Sequence, residues 1–306
     1  MKKLIIFFAI FTINFSCSRN DEKIPKSSCG ERILNSKNNF DFIFIGDQGS
    51  SNGNQQEVSN SIENFCSNHN CDAVVLLGDN FYDSGVYSLD DPKWNSAFFY
   101  IYEKINLPFY AILGNHDYNV DDFIISENQV NKTNYQSKWI MPGHIWKLKS
   151  NLFTFLALDS QKLSLNVTGS LDSHKKCFGD DLTSRDVWKI GLGHHPFLSN
   201  GPHGSAYRNN INFHENYLKL LCNNIDIYFS GHDHILELFS PNAKCSEHFV
   251  ISGAGGSDLY DISNIDIDEF SSKNFGFVHL KISLTELTIN FYNSASNLMY
   301  SKTINH

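Results

Sequence analysis

Residues 73–82 read AVVLLGDNFY: five apolar residues, then glycine, aspartate, asparagine and two aromatics. A run this short and this apolar predicts a β-strand buried on both faces. The glycine lets the backbone turn sharply where the strand ends. The aspartate then stands at the strand's carboxyl end, where open α/β sheets build their sites.

Working outward, the same unit recurs. Apolar runs occur at residues 42–45, 109–113, 152–158, 188–192 and 225–229, and later at 248–251, 275–282 and 287–292. Five of the runs lead into short polar motifs: GDQG at 46–49, GDNFY at 78–82, GNHD at 114–117, GHHP at 193–196 and GHDH at 231–234. Helix-like stretches at 57–65, 92–105 and 214–222 separate some of the runs. Strands alternating with helices predict a layered α/β domain whose sheets are covered by helices. The final two or three strands lack intervening helices and predict hairpins. Residues 119–138 predict a surface loop or a short helix, and 166–181 a loop.

The five motifs carry carboxylates, imidazoles and an amide, the donors that hold hard to borderline cations. A lone aspartate after a strand is more often a helix cap or turn former. Five such groups at strand ends point to one shared crevice, and burying them together without a cation would be costly.

The 306 residues suit one large α/β domain or two small ones. Apolar residues make up 41% and charged residues 19%, enough to bury a core and to argue against global disorder. The net charge is -9, and no basic stretch tracks a phosphate backbone, so a nucleic-acid polymer is not an expected partner. Lys2 and Lys3 precede an apolar run at residues 4–13, the pattern of a secretory signal over residues 1–16. Cys17 follows a small residue, which leaves open a lipoprotein anchor or an ordinary cleaved signal. Secreted, periplasmic or cell-surface placement is expected either way. Residues 17–40 are polar and predict a tether, and residues 41–306 a single catalytic domain. The seven cysteines are Cys17, Cys29, Cys66, Cys71, Cys177, Cys222 and Cys245. With Cys17 set aside, six allow three disulfides in 15 connectivities. Cys66 and Cys71 are close enough in sequence to close a small loop.

Together the five motifs resemble the signature of the calcineurin-like metallophosphoesterases. Tyr82 in GDNFY is similar to the purple acid phosphatases, especially the small tartrate-resistant type. The resemblance spans about residues 41 to 300 and implies a metallophosphoesterase sandwich, two mixed β-sheets flanked by α-helices. It implies that Asp47, Asp79, Tyr82 and His234 hold Fe(III). It implies that Asp79, Asn115, His194 and His232 hold a divalent ion (iron, zinc or manganese), with Asp79 bridging. His116 and His203 resemble the family's two histidines near the substrate. The implied activity is hydrolysis of phosphate monoesters by metal-bound hydroxide in acid, on phosphorylated small molecules or phosphoproteins. A monomer is expected.

Two departures bear on substrate preference. Gln48 stands where the family often has Trp, and His195 where the tartrate-resistant type usually has Tyr. Residues 159–188 lack a clear amphipathic helix, although the family usually has one there. Asp117 is expected to orient His116 or cap a turn, Asp233 to face away from the site, and His195 to face the core. His69, His144, His174 and His214 are expected at the surface or in structural roles. Two rival functions stand beside the phosphomonoesterase: a phosphodiesterase or nucleotide phosphatase on the same site, and a surface-anchored binding protein that keeps the fold without turnover.

Overall fold

In the computed structural model, which describes residues 29–118, 125–133, 138–184, 186–263, 265–266 and 268–306, the apolar runs form two mixed sheets. In the eight-stranded sheet lie β1 (Cys29–Ile33), β6 (Ile145–Lys149), β7 (Phe153–Ala157), β8 (Trp188–Leu192), β9 (Ile227–Ser230), β10 (Leu236–Phe239), β11 (His248–Ser252) and β12 (Phe270–Ser272). Their order is β1-β6-β7-β8-β9-β11-β10-β12. The seven-stranded sheet holds β2 (Phe40–Ile45), β3 (Ala73–Leu76), β4 (Phe109–Ala111), β5 (Trp139–Ile140), β13 (Gly276–Ile282), β14 (Glu286–Asn293) and β15 (Leu298–Asn305). Its order is β15-β14-β13-β2-β3-β4-β5, with β2 to β5 parallel and β13 to β15 an antiparallel meander.

Strand β2 shows why the layers form. Alternate side chains leave a strand on opposite faces. Phe40, Phe42 and Phe44 enter the core between the sheets, where Phe42 meets Phe153 and Phe155 and Phe44 stacks on Phe229 at 4.1 Å. Ile43 and Ile45 point the other way, against Val58, Ile62 and Phe65 of helix α1 (Gly53–Asn68). Burying one such side chain contributes about 1.5–3 kcal/mol, and the strand's one polar residue, the buried Asp41, is paired with His279 Nε2 at 2.9 Å. Helices α3 (Ser160–Ser164), α4 (Ser170–Phe178) and α6 (Ile211–Leu220) supply Leu163, Phe178, Phe213 and Tyr217 to a third core with Leu156 and Tyr228 of the other sheet.

Three sequence expectations are corrected here. Cys29–Ile33, read as part of a polar tether, is strand β1, paired in parallel with β6. Residues 166–181, read as a loop within a stretch (159–188) where no helix was clear, carry α4, and α3 precedes it. Residues 92–105 form turns around a π-helical stretch, Trp94–Phe99, rather than a regular helix. Helix α2 (Ile125–Lys132) occupies the segment read as a loop or short helix, and α5 (Ala206–Asn209) precedes α6. Among the described residues no helix is long and apolar enough to cross a membrane. The signal segment and Cys17 lie outside the described residues.

The six cysteines from Cys29 onward pair as Cys29–Cys177, Cys66–Cys71 and Cys222–Cys245. Cys66–Cys71 is the small loop that its spacing allowed. In the chain-entropy model, their separations of 148, 5 and 23 residues correspond to about 5, 2 and 3 kcal/mol. Three such bonds suit an oxidising compartment.

Candidate metal centre

The motif loops leave β2, β3 and β4 of one sheet and β8 and β9 of the other, and they meet at one edge of the sandwich. Backbone bonds join the sheets there: Gly46 N donates to Ser252 O at 2.6 Å, and Gly255 N to Gly46 O at 3.1 Å. Asp47, Asp79 and His232 all have positive φ (57°, 53° and 70°), a left-handed conformation that is uncommon outside glycine and clusters at functional sites. Gly114 shows how tight the approach is. A Cβ there would stand 2.1 Å from Asp79 Oδ1.

All seven side chains expected around the cations meet in this cluster. On one side Tyr82 Oη lies 3.2 Å from Asp47 Oδ1, 3.1 Å from Asp79 Oδ2 and 3.3 Å from His234 Nε2. On the other, His194 Nε2 lies 3.0 Å from Asn115 Oδ1, 3.2 Å from His232 Nδ1 and 3.4 Å from Asp79 Oδ2. Asp79 belongs to both groups. Asp47, Asp79 and His194 are all buried, with one donor atom each inside a 4.8 Å circle.

The donor set fits cations. His194 Nδ1 donates to Leu77 O at 2.9 Å, and His234 Nδ1 to Asp258 O at 2.8 Å. Each bond fixes the tautomer and leaves Nε2 turned to the cluster with its lone pair. The field asks for positive charge. Burial disfavours a charged His194, yet Asp79 and then Asp47 outweigh it and push its pKa up to about 9. Burial would raise the Asp79 pKa, but His194 and then His116 pull it down to about 2. Burial and the Asp47 and Asp79 carboxylates drive the Tyr82 phenol far above its ordinary value, so ionising it requires a strong local cation.

His116 and His203 flank the cluster from opposite ends. The His116 ring lies 4.7 Å from Tyr82, its amide donates to Asp79 Oδ1 at 2.9 Å, and Nδ1 bonds Asp83 O at 2.7 Å. The His203 ring lies 4.2 Å from His232 and its side chain is 45% exposed.

Two neighbours have partners that the sequence reading did not name. Among the described residues Asp117 bonds no histidine. Its buried carboxylate accepts from Gly114 N at 2.8 Å, Asn80 N at 3.0 Å and Gln129 Nε2 at 2.8 Å, clipping the GDNFY and GNHD loops together. Asp233 turns away from the cluster as expected, but toward His203. His195 packs between His232 and Phe213, with Nδ1 3.0 Å from Ser160 Oγ. Ser160 also takes the His194 amide at 3.0 Å, so the start of α3 braces the GHHP loop. Ser160 has no motif of its own, and only its place after the run 152–158 hinted at a role. His144 and His174 are buried and structural, His69 stacks on Phe65, and His214 stacks on Phe197.

Residues 40–236, more than half of the chain, match the calcineurin-like phosphoesterase family model. The chain belongs to the calcineurin-like phosphoesterase family. Within this phosphoesterase family it is similar to purple acid phosphatases. It is 29% identical to purple acid phosphatase 3 of Arabidopsis thaliana over 85% of this chain and 76% of that protein. It is 22% identical to tartrate-resistant acid phosphatase type 5 of Mus musculus over 86% of this chain and 89% of that protein. The fold is shared with a purple acid phosphatase from yellow lupin seeds (TM-score 0.68, 20% identity, 88% of this chain and 54% of that one). It is also shared with GAP50, described as the anchor in the inner membrane complex of Plasmodium (TM-score 0.70, 22% identity, 88% and 89% of the two chains). The two mixed sheets with outer helices are the sandwich that the motifs implied.

Proposed function

We propose that the chain is an acid phosphatase of the purple type, hydrolysing phosphate monoesters at a two-cation centre. The observation that carries this is the convergence of seven donors from five loops on one shared carboxylate, Asp79. Asp47, Tyr82, His234 and Asp79 would hold Fe(III), because two carboxylates and a phenol offer hard oxygen donors. Asn115, His194, His232 and Asp79 would hold the divalent ion (iron, zinc or manganese). When bound, the ions supply positive charge against phosphate oxygens and Lewis acidity toward water.

The chain's own groups do the rest. Leu77 and Asp258 carbonyls hold two imidazoles in register before any substrate arrives. His116 and His203, at either end of the cluster, hydrogen-bond the phosphate oxygens or hand a proton to the leaving oxygen. The substrates are phosphorylated small molecules or phosphoproteins, since the site is open at its rim. The disulfides and the N-terminal signal together favour a secreted, periplasmic or cell-surface enzyme, with Cys17 as a candidate lipid anchor. Residues 41–306 act as one catalytic domain, extended by β1.

Metal analysis with a visible spectrum on natively expressed protein tests the reading. Two ions per chain and a Tyr82-dependent charge-transfer band are expected. Asp79→Asn should cut turnover to near background and lower metal content. A metal-free, colourless protein without phosphatase activity would overturn the proposal. Comparing aryl monoesters, diesters and nucleotides separates the phosphodiesterase and nucleotide phosphatase readings. The likeness to GAP50 supports a second class, an anchored binding protein. Retention of all seven donors favours the enzyme.

A further inference from the structure

Asp233 lies between His232 and His234 in the bend that links β9 to β10, and its side chain turns away from the cluster to meet His203. It is fully buried, and the loop at residues 199–203 wraps around it. The Ser199 hydroxyl donates to Asp233 Oδ2. The His203 amide donates to Oδ1 at 3.3 Å, and His203 Nδ1 to the same oxygen at 2.7 Å. Gly201 permits the wrap, because a Cβ there would stand 2.5 Å from Asp233 Cγ. Gly201 N returns a bond to Ser199 Oγ at 2.9 Å, and behind it Asn200 N donates to Glu237 Oε2 at 3.1 Å. Thus a solvent-facing histidine rests on a buried, fully engaged carboxylate. A histidine with no role at the site would need no such cradle.

Resting on the phosphatase reading above, we propose that Asp233 is the positioning residue of His203. It fixes the ring plane and keeps the Nδ1 hydrogen on the protein side, so that Nε2 addresses the leaving oxygen of the substrate. Among the described residues no protein group bonds Nε2. The ring also lines a cavity of about 320 Å³ with His195, Pro202, Asn209 and His232. In the step it serves, the bond between phosphorus and the leaving oxygen breaks with its electron pair on oxygen. That oxygen takes the proton from Nε2, water supplies the new oxygen on phosphorus, and His203 is left as the neutral Nδ1–H tautomer on Asp233.

The test compares wild type, Asp233→Asn and Ser199→Ala on 4-nitrophenyl phosphate and on an alkyl phosphate, with metal content measured for each. A 4-nitrophenolate leaves without a proton, whereas an alkoxide needs one. With metal content unchanged, Asp233→Asn should lower kcat on the alkyl ester by about 10- to 100-fold, a large part of what one acid–base group contributes. The loss on the aryl ester should be several-fold smaller, and KM should change little. Ser199→Ala should show the same bias at smaller size, and it decides the matter if the aspartate variant does not fold. Equal losses on both esters, or none, would overturn the role of Asp233. A wild type without turnover would instead overturn the phosphatase reading itself.

Discussion

Asp117 shows how one side chain outside the cluster sets its shape. Its carboxylate takes N–H groups from two ligand-bearing loops and from α2, and burial with the nearby Asp79 pushes its pKa up to about 6. Asp117→Ala would leave at least three buried donors unpaired. A loss of about 2–4 kcal/mol is expected, with weaker metal binding. Urea unfolding and metal titration check this; a variant as stable as wild type would show that the clip is dispensable. The seven donors of the cluster were legible because each sits at the end of an apolar run, where strand geometry leaves little freedom. The partner of Asp233 was not legible. The place of Asp233 between two donor histidines says that it faces away from the site, but not what a loop 30 residues away brings to meet it.

Helix α3 links the site to a buried charged network. Asp159 caps it by accepting the Lys162 amide at 3.1 Å. The Asp159 carboxylate also takes the Tyr118 hydroxyl at 2.7 Å and faces His144 Nδ1 at 3.4 Å, while His144 Nε2 faces Glu127 of α2 at 3.1 Å. Burial opposes a charge on His144, but its bonds to Asp159 and Glu127 outweigh burial and the nearby Lys162, and raise its pKa. Asp159 is pulled well below the ordinary carboxylate range, as Lys162 and His144 outweigh its burial. The signs follow. The stability His144 contributes is complete below its unfolded pKa of about 6.5 and fades as pH rises through the higher folded value. That of Asp159 is present above about 3.9 and fades as pH falls. Both are charged between, the mildly acidic window. His144→Gln should therefore cost about 3 kcal/mol near pH 5 and progressively less in alkali. Thermal melts across pH check it; a pH-independent difference would refute the linkage. These elements were hard to read for physical reasons. Helix α3 has five residues, too few to show a period. Helix α4 buries Ser170, His174, Cys177 and Phe178, which is helical spacing written half in polar residues. Strand β1 is an exposed edge, CGERI, held by Cys29–Cys177 and by Lys147 on Glu31 at 3.1 Å rather than by burial.

At the scale of the whole molecule, the layered architecture was legible because β2, β3 and β7 to β9 are buried on both faces and spell it in continuous apolar runs. Shorter or mixed strands such as β5, β6 and β12 carry no such run and surface only in the pairing. The cluster has a mechanical consequence. Four of its donors hang from the seven-stranded sheet and three from the eight-stranded one, so ions there would rivet the two slabs along a single seam. The opposite end is welded by the phenylalanine stack and needs no such fastening. Chelation should loosen only the riveted margin. Amide hydrogen exchange at Gly46, Gly231 and Gly255 should quicken, while the strand centres at Phe42 and Phe155 stay slow. Uniform acceleration would mean that the ions hold the fold globally, and no change would mean that they hold nothing but substrate.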